Sequence, residues 1–567
     1  MILNDQTSTA TAATAGDGPV GLAARRPRRG NILFALCLAA LVIFLETTIV
    51  NVTLPTLVRS LSATTTELQW IVDAYSLVFA ALVLAAGSLG DRLGRKGILL
   101  SGLGVFAMGS LAGALSQSAN ELIAARAVMG VGAALILPAT LSIIANVFTE
   151  RKERAKAIGL WGATTGVGIA TGPIVGGWLL ESYWWGSVFL FLVPMAVVAG
   201  ALIVWAVPTS RDPSTPPIDW RGVALSTAGM GALVLSIIQA PDWGWTSART
   251  LAALAGATAL LALFVVAERR TSHPMLDVSL FRDLRFTAAS GSVTIAFFAL
   301  QGFIFLITQY FQFIKGYTPL QTGVRLLPVA ASVAIGSIMG TRLAVRVGNK
   351  AVVATGLALF SAGLLWTAAA ATQSTAYGII ALQALLLGSG MGLTGAPATE
   401  AIMGAVRREK AGVGSAVNDA TRLFGGTLGV AVIGSVAASL YVGRLASAIP
   451  AGLLRGAIEA ARGSVGGALI ASQELARGGH MQLAQRLSDG AGEAFMHSFM
   501  GGVLVAGGVA AAGVVLAATL LPARPGAPSR DSARAANGQL RPRSSREFEG
   551  AYRAPRRRPT GSHWERR

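Results

Sequence analysis

Three ionisable residues sit in stretches that are otherwise apolar. Glu46 lies in Leu45-Glu46-Thr47-Thr48-Ile49-Val50, Asp73 in Ile71-Val72-Asp73-Ala74-Tyr75, and Arg126 in Ile123-Ala124-Ala125-Arg126-Ala127. Charged side chains inside hydrocarbon are expensive, and where they persist they mark proton relays and ion or substrate paths. A buried carboxylate can hold either a proton or a cation, and a neighbouring arginine shifts the balance between its two protonation states. If a cation and a proton compete for Glu46 or Asp73, with Arg126 tuning the carboxylate, binding of one releases the other. Glu46 and Arg126 can equally form a fixed ion pair that orients two helices. A fourth group, Asp419, lies in Asn418-Asp419-Ala420-Thr421-Arg422. Its i,i+3 spacing to Arg422 allows pairing along one helix face, so a neutralised pair and a substrate contact both stay open. His273, His480, His497 and His563 fall in loops, tails or span ends, which leaves no embedded imidazole relay.

The elements that must position these groups are transmembrane helices. Of 567 residues, 53% are hydrophobic and 13% charged, with a mean hydropathy of +0.60; soluble domains carry about 25% charged residues. A spanning helix needs about 20 mostly apolar residues. On that rule spans fall near 32-53, 71-89, 98-116, 121-147, 158-181, 187-207, 222-240, 250-267, 287-310, 322-341, 351-370, 377-403, 413-441 and 498-521. The fold class is therefore an all-α integral membrane protein with 14 transmembrane helices. Glu46, Asp73 and Arg126 would then share the outer half of the bilayer, where a common polar cluster is geometrically possible.

The net charge of +19 raises nucleic-acid binding as an alternative, but no recognition module accompanies it. The basic residues instead crowd alternate loops: Arg92, Arg95 and Lys96; Arg151, Lys152, Arg154 and Lys156; Arg211 and Arg221; Arg269, Arg270, Arg282 and Arg285; Arg342, Arg346 and Lys350; Arg407, Arg408 and Lys410. The intervening loops and their edges hold Arg59, Arg249, Lys315 and Arg325. Basic loops are retained in the cytoplasm, so both termini are expected inside the plasma membrane. Residues 1-30 and the arginine-rich 522-567 read as disordered cytoplasmic tails, and 442-497 as an outer loop with short interfacial helices or little order. The single cysteine, Cys37, excludes a disulfide framework or a thiolate metal site. No lysine follows a glycine, so there is no P-loop for ATP.

Four segments carry a specific family resemblance, and two more echo it. Gly87-Ser88-Leu89-Gly90-Asp91-Arg92-Leu93-Gly94-Arg95-Lys96 resembles motif A of the major facilitator superfamily, with glycines for a tight turn and Asp91 placed to cap a helix start. The span Gly162 to Gly177 puts Gly168, Gly172 and Gly176 on one face for close helix approach, with Pro173 permitting a bend and Gly177 completing Gly-Pro-x-x-Gly-Gly. It resembles motif C, the antiporter signature. Leu45 to Pro55 resembles the first-helix motif of the drug:proton antiporter branch with 14 helices, with Glu46 where that branch commonly has Asp. Trp70 to Leu77 is similar to the subset that exports quaternary ammonium compounds. Leu122 to Ala134 resembles motif B, with Met129 where Gln is frequent, and Gly340 to Lys350 is a degenerate echo of motif A.

The resemblance implies a major facilitator fold arranged 6+2+6: an N-terminal six-helix bundle at 31-207, two inserted helices at 208-285 and a C-terminal bundle at 286-521. It implies a non-enzymatic, proton-coupled exporter of lipophilic, cationic drugs working by alternating access. Proton coupling falls to Glu46, Asp73 and Arg126, and substrate binding to Glu46, Asp73 and Asp419. An exporter of an endogenous metabolite, siderophore or lipid is the alternative, and a membrane-embedded enzyme or receptor a more distant one. No cofactor or metal is implied, since the proton gradient supplies the energy. The implied partners are small lipophilic substrates, protons and bilayer lipid, with no nucleic acid and a monomer as the expected unit.

Overall fold

The computed structural model describes residues 29–211, 219–272, 274–405, 411–450 and 453–522. The expected tails at 1-30 and 522-567 therefore lie almost wholly outside the described residues. The described chain is helical, with 14 helices long and apolar enough to cross a membrane. In order these are α1 (Arg29–Leu61), α2 (Thr65–Leu93), α3 (Arg95–Leu115), α4 (Ala119–Val147), α5 (Arg151–Ser182), α6 (Ser187–Ala206), α7 (Trp220–Trp243) and α8 (Ala248–Arg270). They are followed by α9 (Leu284–Gln309), the short α10 (Pro319–Arg325) running into α11 (Leu327–Val347), α12 (Asn349–Ala370), α13 (Tyr377–Ala405), α14 (Ala411–Ala446), α15 (Arg455–Gly463), α16 (Val465–Arg477) and α17 (Met481–Leu520). A 3₁₀ turn (Val278–Arg282) precedes α9 and a π-helical turn (Tyr310–Ile314) extends it.

Local sequence sets the ends. Thr64 accepts from the Glu67 amide while the Glu67 carboxylate accepts from the Thr64 amide, a reciprocal capping box that satisfies two orphan donors at the start of α2. Gly94 alone joins α2 to α3 at φ +115°, and Gly348 alone joins α11 to α12 at φ +89°. Side chains rarely adopt such a backbone, so a joint one residue long requires glycine.

The helices form two bundles with the same internal pairing. In the first, α1 packs on α5 and α6, α4 on α2 and α3, and α3 on α6; in the second, α9 packs on α14 and α17, α13 on α11 and α12, and α12 on α17. The matching joints at Gly94 and Gly348 fall at equivalent points of this repeat. The inserted α7 and α8 pack on each other, and α7 bridges α2 and α14 through an apolar cluster of Leu77, Val234, Ile238 and Ala431.

The face on which α1 begins is called here the N-terminal face. On the opposite face, the segment 442-497 contains the end of α14, all of α15 and α16, and the first turns of α17. The Tyr441 hydroxyl donates to the Ala461 carbonyl at 2.9 Å and the Ser472 hydroxyl to that of Ala484 at 2.6 Å. At about 1.5 Å per residue the 40-residue α17 is about 60 Å long, twice the hydrocarbon thickness. Its buried Ala484, Leu487, Ala491 and Phe495 recur at helical spacing, which is why it stays helical beyond the membrane.

Candidate transport site

The structure brings together two of the three embedded charges. Glu46 on α1 and Arg126 on α4 form an ion pair through Oε1 and Nη1, with side chains 0% and 1% exposed. Arg126 Nε also donates to the Ile71 carbonyl of α2 at 2.7 Å, and its guanidinium lies 4.5 Å from the Tyr75 ring centroid. One arginine therefore fastens α1, α2 and α4.

Asp73 does not join this cluster. It is two residues from both Ile71 and Tyr75, about 200° around the helix, so it faces away from Arg126. Its face is that of Gln69 and Leu77, one turn to either side. Gln69 Nε2 lies 3.2 and 3.0 Å from the Val430 and Ala431 carbonyls and 3.2 Å from Ser435 Oγ, all on α14, while Leu77 belongs to the apolar cluster with α7 and α14. Asp73 thus lies on the seam between the halves, fully buried, with neither carboxylate oxygen hydrogen-bonded. A carboxyl group without donors is tolerated at such a place only when it carries a proton or a cation.

Asp419 and Arg422 do not form an ion pair. Arg422 Nη2 instead donates to Thr399 Oγ1 at 2.9 Å, and Asp419 Oδ1 has Asn418 Nδ2 at 3.5 Å. Thr399 Oγ1 donates in turn to Asn418 Oδ1 at 3.1 Å, so α13 and α14 are joined by a polar chain that competes for the arginine.

Every hydrogen bond between the two bundles among the described residues lies toward the opposite face. Besides Gln69, Gln312 Nε2 donates to the Val52 carbonyl at 2.9 Å, and the Leu320 amide donates to Glu181 Oε1 at 3.2 Å. Toward the N-terminal face α2 and α14 stand apart around a cavity that α7, α8 and α9 also line. The protein is therefore sealed on the opposite face. Sequence reasoning passed over Gln69, Gln312 and Glu181; the available signal was an amide or carboxylate at the end of an otherwise apolar run.

Motif C explains part of this seal. A Cβ on Gly168 would come within 2.7 Å of Phe44 Cβ, one on Gly172 would overlap Thr48 Oγ1, and one on Gly176 would lie 2.6 Å from Ile49 Cγ1. The glycine stripe is thus where α1 rests on α5. Gly177 faces elsewhere: its Cβ would meet Leu320 Cα at 2.5 Å, and a Cβ on Gly323 would overlap the Pro173 carbonyl. Pro173 and Gly177 therefore carry α10 of the other bundle, and α5 runs unbroken through the proline.

Motif A acts at the N-terminal face, where Asp91 departs from its expected role. It lies in the last turn of α2 rather than capping α3, whose N-cap is Gly94 with no side-chain bond. Asp91 Oδ1 instead accepts from Arg95 Nε at 2.7 Å, because the one-residue joint brings these side chains together across the turn. The Arg95 amide donates to the Ser210 carbonyl and Lys96 Nζ to that of Val204, both at 2.9 Å, which ties the turn to the end of α6. Gly87 and Gly90 face Pro138 and Ile98 at ordinary contact distance, and Arg92 is exposed.

The family model described as Major Facilitator Superfamily matches residues 36–430. The chain belongs to the major facilitator superfamily. It is a multi-pass membrane transporter of that superfamily and not an enzyme. Among its relatives, the multidrug resistance protein Stp of Mycobacterium tuberculosis is 39% identical over 407 residues, covering 72% of this chain and 75% of Stp. The methyl viologen resistance protein SmvA of Salmonella typhimurium is 35% identical over 478 residues, covering 83% and 94%. In fold, the chain resembles a bacterial homologue of the human lysosomal transporter Spinster, crystallised inward-facing and unoccupied. The TM-score is 0.62 at 18% identity, covering 88% of this chain and 99% of that one.

Proposed function

We propose that this major facilitator exports lipophilic, mainly cationic drugs in exchange for protons, with the N-terminal face in the cytoplasm. The observation that carries the reading is Asp73, a buried carboxyl without a partner on the seam that must part for the opposite face to open. Efflux itself is supported by relatives named for multidrug and methyl viologen resistance, and the cytoplasmic placement by the basic loops.

Opening the opposite face separates Gln69 from α14 and exposes Asp73 to the outside, where a proton displaces the bound cation. Resealing the seam over an empty, charged carboxylate costs several kcal/mol, so each return needs a proton or a cation aboard. That cost makes the exchange obligatory. The Glu46–Arg126 pair holds α1, α2 and α4 in register around the moving seam.

The test is ethidium transport by proteoliposomes with an imposed proton gradient. Asp73→Asn, neutral in every state, is expected to lose gradient-driven transport by about tenfold or more, the equivalent of about 1.4 kcal/mol. Glu46→Gln should retain gradient dependence at a lower rate. Wild-type coupling in Asp73→Asn would remove Asp73 from the mechanism.

A further inference from the structure

The inserted helices carry two carboxyl groups that the transport site does not use. On α7, Gly222 and Gly229 seat α8. A Cβ on Gly229 would meet Leu261 Cδ2 at 2.8 Å, and one on Gly222 would overlap Glu268 Oε1 and lie 3.0 Å from Asp219 Oδ2. This antiparallel register brings Glu268, in the last turn of α8, beside Asp219, the N-cap of α7. The two oxygens converge beside one glycine at the N-terminal face.

Each carboxyl group has one oxygen engaged and one free. Asp219 Oδ1 accepts from the Gly222 amide at 2.9 Å, and Glu268 Oε2 accepts from the Leu276 amide at 2.9 Å. Asp219 Oδ2 and Glu268 Oε1 are buried without a hydrogen-bond partner, and Glu268 as a whole is 3% exposed. The charged residues on the neighbouring elements are Arg221 on α7, Arg269 and Arg270 on α8, and Asp277 and Arg282 at the 3₁₀ turn. The four arginines are exposed, and among the described residues none forms an ion pair with either carboxyl group. Asp277 Oδ1 accepts from the Ser279 amide at 3.2 Å and so caps the 3₁₀ turn. His273, in the same linker, lies outside the described residues.

A single proton satisfies both free oxygens, since a protonated carboxyl group donates where an ionised one only accepts. The one charge that remains is favoured by the N-terminus of α7, whereas two buried like charges at one place repel. We propose that Asp219 and Glu268 hold one proton between them, a protonation site outside the transport path that latches the linker leading into α9. The latch is Glu268. While the pair keeps its proton, Glu268 stays against Asp219 and its other oxygen holds the Leu276 amide. Loss of the proton drives the carboxylates apart, and Glu268 releases Leu276 as it turns to solvent. The latch is therefore complete at low pH and is lost as pH rises through the titration of the pair. It goes beyond the exchange at Asp73 and does not depend on it.

The experiment is hydrogen exchange followed by mass spectrometry on the full chain in phosphatidylcholine nanodiscs, without substrate or gradient. Exposure times are scaled to hold intrinsic exchange constant from about pH 5 to about pH 9, a range that spans free carboxyl groups and those paired with a like charge. Protection of the segment 275–277 is expected to fall as pH rises, by up to about tenfold per pH unit, the limit for release of one proton. Glu268→Gln, whose amide donates to Asp219 while its carbonyl oxygen accepts from Leu276, should keep the protection at every pH. Asp219→Asn, which remains a helix cap, should do the same from the other side. Glu268→Ala should lose the protection at every pH, and His273→Gln should titrate as the wild type does. Wild-type protection that ignores pH, a pH dependence that persists in both Glu268→Gln and Asp219→Asn, or one abolished by His273→Gln overturns the proposal. Protection at high pH that depends on added magnesium also overturns it, by making the guest a metal ion. Because the readout involves neither substrate nor gradient, a failure here leaves the Asp73 reading standing, and the reverse.

Discussion

Replacing Arg126 by leucine tests whether the buried ion pair is a structural unit. The substitution removes three interactions at once: the pair with Glu46, the bond to the Ile71 carbonyl and the stacking on Tyr75. What remains is more costly than what is lost, because the Glu46 carboxylate stays fully buried with its counter-ion gone. Removing one partner of a buried pair costs about 3–5 kcal/mol. Glu46→Gln is expected to cost less, about 2 kcal/mol, since Arg126 keeps the Ile71 carbonyl and the Tyr75 ring and the amide oxygen still accepts. The double variant leaves neither charge behind and should fall well short of the sum, with a coupling of about 2 kcal/mol, roughly thirtyfold in the unfolding constant. Equilibrium unfolding in mixed micelles, followed by circular dichroism, measures all three. Additivity within about 0.5 kcal/mol would refute the argument, because two side chains that do not interact have nothing to couple.

The closed seam makes Gly177→Val informative. The new side chain collides with the α10 backbone, so spin labels on α5 and α10 should report wider separation at the opposite face; unchanged distances would mean that the contact does not hold the gate. Gln69→Leu removes the amide that reaches three acceptors on α14. It should shift the two faces' populations by about 1–2 kcal/mol, visible as faster thiol labelling of a cysteine placed at Ser435. Gly94→Ala forces a side chain onto φ +115° at a cost of about 1–3 kcal/mol, measurable as lost stability, whereas Gly97→Ala, with nothing within 4 Å of its Cβ, should be silent.

Much of the fold was legible because each span is a property of its own segment. Hydrocarbon demands a long apolar helix wherever the chain crosses, and glycine must stand at joints such as Gly94 and Gly348. Motif C could be recognised as a face for close approach, yet its partners could not be named. Gly168, Gly172 and Gly176 meet α1 while the adjacent Gly177 meets α10 of the other bundle, and one residue step around a helix separates these outcomes. Asp91 shows the same limit: its residue type fits a cap, but the length of the joint made it a partner for Arg95.

The sequence by itself determined the number of crossings, the alternation of basic loops and the presence of a few charges where charge is costly. Those follow from local composition and the price of burying polar groups in lipid. Only the tertiary structure decided which charges meet. Rotation of α2 about its axis sends the Ile71 carbonyl and the Tyr75 ring toward Arg126 and turns Asp73 to the seam with α14. That rotation is set by packing against α4, α7 and α14 together. No single segment encodes it, since the partners of α2 lie from tens to hundreds of residues away along the chain.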